Sequence, residues 1–238
     1  MIASNYFEGI FMIKTVFLDL DDTLFDFHRS EEEAISMTLL SFGIEPTDAV
    51  KKRYSQINRS MWEQLELGKM TREQILVRRF ELLFDELGVL IDGMEARRRY
   101  EWNLGGSYFY MNGAEELLGE LSQKYDLYIM SNGTAAVQDR RIEASGIQKY
   151  LHGIFISERV GYNKPSCEFF EKCFRQIESF DKESSIIVGD SLSSDIQGGI
   201  NAGIKTCHYN SRNEKKEGVV PDYTITSLAE LPSLLEKI

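Results

Sequence analysis

Cysteine and histidine are both scarce in this chain, and their spacing excludes several kinds of site. The chain has 3 cysteines and 3 histidines in 238 residues. The cysteines are odd in number and form no C-x-x-C pair, which argues against a disulfide framework or a structural zinc site and for a reducing compartment. The histidines lie far apart in sequence, so a histidine-based metal site or a Ser-His-Asp triad has little support. The residues are Cys167, Cys173, Cys207, His28, His152 and His208.

Positive charge and long apolar runs are also lacking. With 27 basic and 38 acidic residues the formal net charge is −11, and the basic residues form no dense stripe, so we expect no nucleic acid polymer as a partner. No segment approaches the length of a membrane span, so we expect no membrane partner. Residues 1–11 have no basic stretch and no clean apolar core, which predicts no signal peptide. We expect a cytoplasmic protein that is a monomer or homodimer.

What the chain does contain is an alternation of strands and helices from about residue 105 onward. Short apolar strands separated by helices of this size predict an α/β fold with a doubly wound, mostly parallel, Rossmann-like sheet. Predicted helices include 114–123, 135–145, 166–177 and a terminal helix from residue 227. The predicted strands are Thr15–Leu18, Tyr125–Met130, Ile154–Ile156, Ser185–Val188, Lys205–Tyr209 and Tyr223–Ile225.

Residues 29–104 interrupt this alternation and show only helical periodicity. Leu76, Phe80, Leu83 and Leu87 fall on one helix face, and Thr71 with Gln74 forms a capping-box pattern. We therefore predict an all-helical cap inserted after the first strand. The expected division is a core of residues 12–28 and 105–238, a cap of residues 29–104, and a short extension of residues 1–11 before Met12.

Aspartates follow two of the predicted strands. Asp19, Asp21 and Asp22 come directly after the first strand, and Asp190 and Asp195 follow the strand that begins at residue 185. Two carboxylates 4 Å apart repel by about 4 kcal/mol at an effective dielectric constant near 20. A bound divalent cation would offset that repulsion. Because parallel sheets bind ligands beyond the carboxyl ends of their strands, the acids indicate an active site there.

Four features converge on that edge of the sheet, and each is common on its own. A lysine before a proline is typical of exposed loops, Ser-Asn-Gly is typical of a turn, and an aspartate favours a helix start. Their joint occurrence, in this order, resembles the haloacid dehalogenase-like hydrolase superfamily over essentially the whole chain after Met12. The features are Asp19-x-Asp21-x-Thr23, Ser131-Asn132, Lys164-Pro165, and Asp190 with Asp195.

The resemblance implies a role for each charged residue. Asp19 would be the nucleophile that attacks phosphorus and forms an aspartyl phosphate, and Asp21 the general acid and then the base. Asp19, Asp190 and the backbone carbonyl of Asp21 would bind Mg²⁺. Asp195 also belongs to the metal-binding residues. We expect it to hold a metal-bound water or Lys164 rather than to bind the ion directly. Lys164 would supply positive charge to the transferring phosphoryl oxygens.

The resemblance also implies substrate contacts. Ser131, assigned as catalytic, would donate to the phosphoryl oxygens together with neighbouring backbone N–H groups. Asn132, Gly133 and Thr23 belong to the same motifs and are expected to bind substrate. The aromatic rings of Phe27 and Trp62 could stack on a base, although packing in the core is an alternative for both.

The same residues favour phosphate ester hydrolysis over dehalogenation and phosphoryl transfer to a sugar. Dehalogenases of the superfamily carry a non-acidic residue two places after the nucleophile, whereas Asp21 offers a proton to an oxygen leaving group. Asp22 stands where phosphomutases usually have glycine. Cap segments such as 58–62 and 79–81 are similar to the pyrimidine-nucleotide 5′-phosphatase branch. The sequence therefore predicts a Mg²⁺-dependent phosphomonoesterase whose partner is a small phosphorylated metabolite, with nucleoside 5′-monophosphates as the expected substrates.

Other functions remain open at this point. The enzyme could act as a phosphatase or phosphomutase on a sugar phosphate or another small phosphometabolite. A 2-haloacid dehalogenase is a weaker alternative. A non-catalytic phospho-receiver module also uses strand-end aspartates around Mg²⁺, but such modules lack a helical insertion and are about half this length.

Overall fold

A parallel sheet forms the centre of the protein. This computed structural model describes residues 12–213 and 218–238, so the predicted extension 1–11 lies outside the described residues. The strands are β1 (Thr15–Leu18), β2 (Asp126–Ser131), β3 (Gly153–Ile156), β4 (Ser185–Gly189), β5 (Lys205–Tyr209) and β6 (Tyr223–Ile225). They lie in the order β3-β2-β1-β4-β5-β6, and each neighbouring pair is parallel. The predicted α/β sheet is confirmed.

The helices fall into two groups. Between β1 and β2 lie four cap helices, α1 (Phe27–Ser41), α2 (Asp48–Glu66), α3 (Arg72–Leu87) and α4 (Gly93–Gly105). The others alternate with the strands: α5 (Ala114–Leu121), α6 (Ala135–Ser145), α7 (Ser157–Val160), α8 (Cys167–Phe174), α9 (Gln197–Ala202) and α10 (Leu231–Leu235). A π-helical turn, Leu192–Ile196, precedes α9.

Three helix ends differ from the predictions. Helix α8 ends at Phe174 rather than at 177, because the backbone N–H groups of Gln176 and Ile177 bond to carbonyls three residues back and tighten the last turn. Helix α5 ends at Leu121, two residues early. The terminal helix begins with a 3₁₀ turn, Leu228–Glu230, which Ser227 caps.

Both faces of the sheet are buried, which explains why the strands have unbroken apolar sequences. Side chains alternate along a strand, so Val16 and Leu18 of β1 join one hydrophobic cluster and Phe17 joins the other. The first cluster includes Leu117 of α5 and Leu231 of α10. Helix α8 covers the opposite face with a group of aromatic side chains. This two-sided burial fixes β1 at the centre of the molecule.

The cap helices have a hydrophobic cluster of their own. Leu76, Phe80 and Leu83 are buried, and Leu87 packs partly buried against the cluster, as the spacing predicts. The capping box of Thr71 and Gln74 at the start of α3 is present. Helix α1 begins at residue 27, two residues before the predicted start of the cap. The predicted division into core and cap stays a prediction.

Two crossing segments, residues 21–26 and 106–111, connect the core to the cap. They lie side by side, because the backbone N–H of Asp26 donates to the carbonyl of Phe109 (2.8 Å) and that of Met111 donates to the carbonyl of Leu24 (2.9 Å). Asp22 within the first segment has a left-handed backbone, with φ of 59°. The chain thus turns away from the sheet directly after the first aspartates.

Across residues 12–213 and 218–238, no helix has the length and apolar character needed to span a membrane.

Candidate active site

Three carboxylates meet where β1 and β4 end. These strands are parallel neighbours, with Leu18 opposite Val188, so the residues that follow emerge at the same edge. One carboxylate oxygen from each of Asp19, Asp190 and Asp195 lies within 4.8 Å of the other two. The sequence-based expectation that these acids come together agrees with this geometry.

The buried ammonium group of Lys164 lies against two of the three acids. Its Nζ donates to Oδ1 of Asp19 at 2.7 Å, to Oδ1 of Asp195 at 2.6 Å and to the carbonyl of Met130 at 2.7 Å. All three donor positions of the ammonium are therefore used. Burial disfavours its charge, but the attraction of Asp19 and Asp195 outweighs burial and raises the pKa of Lys164 above its ordinary value.

Negative charge remains in excess at this edge. Burial raises the pKa of Asp19 to about 7, with Lys164 lowering it and Asp195 raising it. Burial also raises the pKa of Asp190 well above its ordinary value, and the neighbouring carboxylates of Asp19 and Asp195 raise it further. Because one ammonium faces three carboxylates, the site has room for further positive charge. Oxygen donors of this kind fit a hard divalent cation such as Mg²⁺.

Glycine and threonine hold two of these acids in position. A Cβ atom at Gly189 would collide with the carboxylate of Asp195, so the last residue of β4 must lack a side chain. The hydroxyl Oγ1 of Thr23 accepts from the backbone N–H of Asp190 at 3.2 Å. Thr23 is fully buried and supports the edge that carries the acids. Its expected role in substrate binding stays a prediction.

Ser131 lies at the end of β2, beside the acids. Its Oγ accepts from the backbone N–H of Gly133 at 3.1 Å and from Nε2 of Gln138 at 2.9 Å. Because two donors already point at this oxygen, its own proton is directed elsewhere. Ser131 and Gly133 both line the cavity that also contains Asp19.

Asn132 joins this loop to the loop that carries Lys164. Its Nδ2 donates to the carbonyl of Lys164, and its Oδ1 accepts from the backbone N–H of Lys164, both at 2.9 Å. The side-chain amide thus fixes the distance between the two loops. A substrate contact by Asn132 stays a prediction.

Asp21 is held by two residues that the sequence analysis did not identify. Nη1 of Arg141 donates to Oδ1 of Asp21 at 2.5 Å, and Nε2 of Gln138 donates to Oδ2 at 2.6 Å. Arg141 is fully buried, and its Nε donates to the carbonyl of Ser107 at 3.1 Å. The sequence shows only that Gln138 and Arg141 lie three residues apart on one face of the predicted helix, and their burial is seen only in the structure. Helix α6 follows directly after Ser131.

A cap residue, Arg72, reaches across to the same loops. Its Nη1 donates to the carbonyls of Asn132 (2.8 Å) and Gly133 (3.2 Å), and its Nη2 donates to Oγ of Ser157 and Oδ1 of Asn163, both at 2.6 Å. One guanidinium from the first turn of α3 therefore contacts four groups of the core. No motif in the sequence indicates this contact either.

A cavity of about 1010 Å³ connects the acids to the cap. The core lines it with the acids, Ser131 and Gly133, and the cap lines it with polar and aromatic side chains. Phe27 and Trp62, the two rings named as possible base contacts, both line it. A substrate whose phosphate lay at the acids would extend toward the cap.

The sequence as a whole matches a known family. The model of the haloacid dehalogenase-like hydrolase family matches residues 13–203. The chain therefore belongs to the haloacid dehalogenase-like hydrolases and is an enzyme of the hydrolase class.

Two characterised relatives match nearly the whole chain. The pyrimidine 5′-nucleotidase PynA of Streptococcus pneumoniae is 38% identical over 226 residues, which cover 94% of this chain and 95% of PynA. The pyrimidine 5′-nucleotidase YjjG of Escherichia coli is 31% identical, with 93% of this chain and 97% of YjjG covered.

A solved structure has the same architecture. The HAD hydrolase YfnB of Bacillus subtilis, bound to magnesium, superimposes with a TM-score of 0.91 at 36% identity, over 94% of this chain and 99% of YfnB. That structure reveals interdomain movement in YfnB.

Proposed function

We propose that this protein is a Mg²⁺-dependent phosphomonoesterase that hydrolyses pyrimidine nucleoside 5′-monophosphates through an aspartyl phosphate on Asp19. The observation that carries the proposal is the meeting of Asp19, Asp190 and Asp195 around Lys164 at one end of a cavity closed by the cap. Two relatives of nearly the same length named as pyrimidine 5′-nucleotidases support the choice of substrate.

Each residue of the core has a defined part in this proposal. The Asp19 carboxylate attacks phosphorus, the bond between phosphorus and the 5′ oxygen breaks, and Asp21 gives its proton to that oxygen. Asp21 then takes a proton from a water molecule that attacks the phosphorus, which releases phosphate and restores Asp19. Lys164 supplies positive charge beside the phosphoryl oxygens, and the Ser131 hydroxyl and backbone N–H groups donate to them.

The excess of carboxylates supports a metal requirement. Asp19 and Asp190 are the side chains proposed to hold Mg²⁺, with the backbone carbonyl of Asp21. Asp195 already accepts a hydrogen bond from Lys164 and from the backbone N–H of Ser191, so it orients the lysine. When bound, the ion supplies positive charge that offsets the repulsion between a carboxylate nucleophile and a phosphate dianion.

Asp21 also separates this proposal from dehalogenation. Haloacid dehalogenases share the fold, for example the L-2-haloacid dehalogenase of Xanthobacter autotrophicus with a TM-score of 0.75 at 16% identity. A halide leaving group needs no proton. The held carboxyl group of Asp21 is useful where the leaving group is an alkoxide, as in a phosphomonoester.

The test is a comparison of substrates in the presence of MgCl₂ or of EDTA. Phosphate release is measured with UMP, dUMP, CMP, AMP, ribose 5-phosphate and hexose phosphates, and chloride release is measured with 2-chloropropionate as the halide control. We expect the highest kcat/KM for the pyrimidine nucleotides and no turnover in EDTA. Preference for a hexose phosphate would contradict the nucleotide proposal and favour the sugar phosphate alternative.

Asp19→Asn tests the covalent step. Because the amide cannot attack phosphorus, we expect kcat to fall by about 10³-fold or more, measured with UMP and p-nitrophenyl phosphate. Asp181→Asn makes the same change at an exposed carboxylate far from the cavity and should leave kcat unchanged. Unchanged turnover in Asp19→Asn would mean that the reaction proceeds without this nucleophile.

A further inference from the structure

The cap contains a buried row of polar side chains that the proposed chemistry does not use. Glu31 of α1, Asn58 of α2 and Arg79 of α3 are 4%, 2% and 3% exposed. Nδ2 of Asn58 donates to Oε1 of Glu31 at 2.7 Å, and Nη1 of Arg79 donates to Oδ1 of Asn58 at 2.8 Å. We call these residues the cap triad. All three line the cavity that contains the catalytic acids.

Arg79 is the unusual member of the cap triad. In residues 12–213 and 218–238 no carboxylate oxygen lies within ion-pairing distance of its guanidinium, and nothing accepts from its Nη2. Its Nε donates to the carbonyl of Leu76 and its Nη1 to Asn58. A buried guanidinium without a carboxylate partner is costly for a fold. A ligand in the cavity that offered an acceptor oxygen would give Nη2 a hydrogen-bond partner.

The neighbouring side chains fix the orientation of the Arg79 guanidinium. The guanidinium carbon lies 5.0 Å from the ring centre of Phe80 and 4.7 Å from that of Tyr100. The amide of Asn58 cannot turn over without losing its bond to Glu31, so the oxygen that Arg79 contacts is also fixed. The guanidinium is thus oriented before any ligand arrives, which reduces the entropy lost on binding.

The cap walls of the cavity suit a flat ligand with a carbonyl group. Trp62, Leu76 and Tyr100 line the cavity together with Arg79. Aromatic and aliphatic walls with one fixed donor fit a heterocyclic base, whose faces are apolar and whose edge carries hydrogen-bonding groups. The carbonyl oxygen at C2 is present in uracil, thymine and cytosine and absent from adenine.

We infer that Arg79, oriented by Asn58 and Glu31, recognises the base of the substrate by donating a hydrogen bond to a ring carbonyl oxygen of a pyrimidine. The inference rests on the proposed function, because it assumes that the phosphate lies at Asp19 and the base in the cap. It assigns specificity to the cap triad and leaves the chemical step to the core.

The test compares two substrates that differ by the base. UMP and ribose 5-phosphate carry the same phosphate and sugar, so the ratio of their kcat/KM values measures recognition of the base. In Arg79→Met, we expect kcat/KM for UMP to fall roughly 10- to 100-fold, the effect of losing a hydrogen bond from a charged donor. The value for ribose 5-phosphate should fall by a much smaller factor, so the ratio drops.

Arg78→Met is the matched control. Arg78 is the adjacent residue, lies on the outer side of α3 and pairs with Glu81 at 2.9 Å. It does not line the cavity. Its replacement removes the same charge from the same helix and should leave the substrate ratio as in the unmodified protein.

A second measurement separates recognition from a change in cap packing. Uridine, which has the base but no phosphate, is tested as an inhibitor of p-nitrophenyl phosphate hydrolysis by the intact enzyme with Mg²⁺. We expect its inhibition constant to rise in Arg79→Met by about the factor seen for UMP, and Arg79→Lys, which keeps one charged donor, to recover part of the loss.

Each outcome bears on one proposal. If the unmodified enzyme hydrolysed ribose 5-phosphate and UMP with equal kcat/KM values, the proposed nucleotidase function would be wrong. If it preferred UMP and Arg79→Met kept that preference, the function would stand and the assignment of Arg79 would be overturned. An equal loss on both substrates, with unchanged inhibition by uridine, would also overturn the assignment, because it would indicate a structural role.

Discussion

The sheet edge and the cap triad both bury charged groups in one cavity, but their charges are balanced differently. At the sheet edge three carboxylates, Asp19, Asp190 and Asp195, face one ammonium. In the cap triad one carboxylate and one guanidinium are separated by an amide. The first arrangement lacks positive charge, whereas the second is neutral and lacks an acceptor for one donor. The difference fits the two proposals, a metal ion at the sheet edge and an uncharged base at the cap triad.

The neighbours of the acids in the two regions shift their pKa values in opposite directions. Burial raises the pKa of Glu31, but hydrogen bonds from Ser55 and Asn58 lower it in turn. Burial raises the pKa of Asp190, and the nearest charges, Asp19 and Asp195, raise it further. A neighbouring dipole therefore stabilises the acid in the cap, while neighbouring charge destabilises the acid at the sheet edge.

Replacing Asp190 by Asn should give the largest change among the tests of this comparison. The variant loses one of the two side chains proposed to hold Mg²⁺, so we expect kcat for UMP to fall by about a hundredfold or more. The concentration of MgCl₂ needed for half-maximal activity should rise. Asp181→Asn again serves as the control, and an unchanged metal requirement would contradict the assignment.

When both proteins are free of metal, Asp190→Asn should be more stable than the unmodified protein. The pKa of Asp190 is raised above its ordinary value of 3.8, so its contribution to stability is present below that value and is lost as the pH rises through the folded-state pKa. In EDTA the difference in Tm in favour of Asp190→Asn should therefore grow from pH 4 to pH 8. Added MgCl₂ should raise the Tm of the unmodified protein more than that of the variant. A lower Tm for the variant in EDTA at pH 8 would contradict this account.

Arg141→Met tests whether the hydrogen bond from Arg141 to Asp21 is needed for protonation of the leaving group. General acid catalysis contributes about 10²- to 10⁴-fold, so we expect kcat for UMP to fall about a hundredfold. The loss should be much smaller for p-nitrophenyl phosphate, because its leaving group needs little protonation. Arg140→Met changes the neighbouring arginine, which donates to the carbonyl of Trp102 instead. Equal losses on both substrates would mean that Arg141 serves only the fold.

Arg72→Met should give the smallest of these effects. Its guanidinium joins the cap to the carbonyls of Asn132 and Gly133, so its loss should loosen the phosphate-binding loop. We expect kcat/KM to fall about tenfold on nucleotide and p-nitrophenyl phosphate alike, which corresponds to about 1.4 kcal/mol. Arg98→Met removes an exposed arginine of the cap, 63% exposed in its side chain, and should have no effect. A loss restricted to nucleotides would place Arg72 with the cap triad instead.

The sheet was predictable because its sequence signals are local. Apolar runs such as residues 185–188 need burial on both faces, and the strand ends fall within one or two residues of the predicted positions. The shortened end of α8 was not predictable, since residues 175–177 keep helical periodicity while the backbone N–H groups of residues 176 and 177 bond only three residues back. Periodicity indicates a buried face and carries little information on the last turn.

The proximity of the acids was predictable for a related reason. Asp19 and Asp190 follow directly after strands that are parallel neighbours, so chain order and sheet topology bring them together. The contacts of Arg72 and Arg141 join residues 60 to 120 positions apart. Long side chains on helices have no preferred partner until the helices pack, and arginine on a helix is usually exposed. The contacts within the cap triad could not be predicted from the sequence for the same reason.

The paired crossing segments have a consequence for how access to the cavity can change. Hydrogen bonds at Asp26 and Met111 tie the two connections into a short ribbon, and this ribbon begins right after Asp19. A rotation of the cap about such a ribbon displaces atoms in proportion to their distance from it. Asp19 would stay nearly still, while cap residues far from the ribbon would be displaced more. Opening for substrate entry would thus leave the nucleophile aligned and break contacts between the cap helices and the core loops, such as those of Arg72.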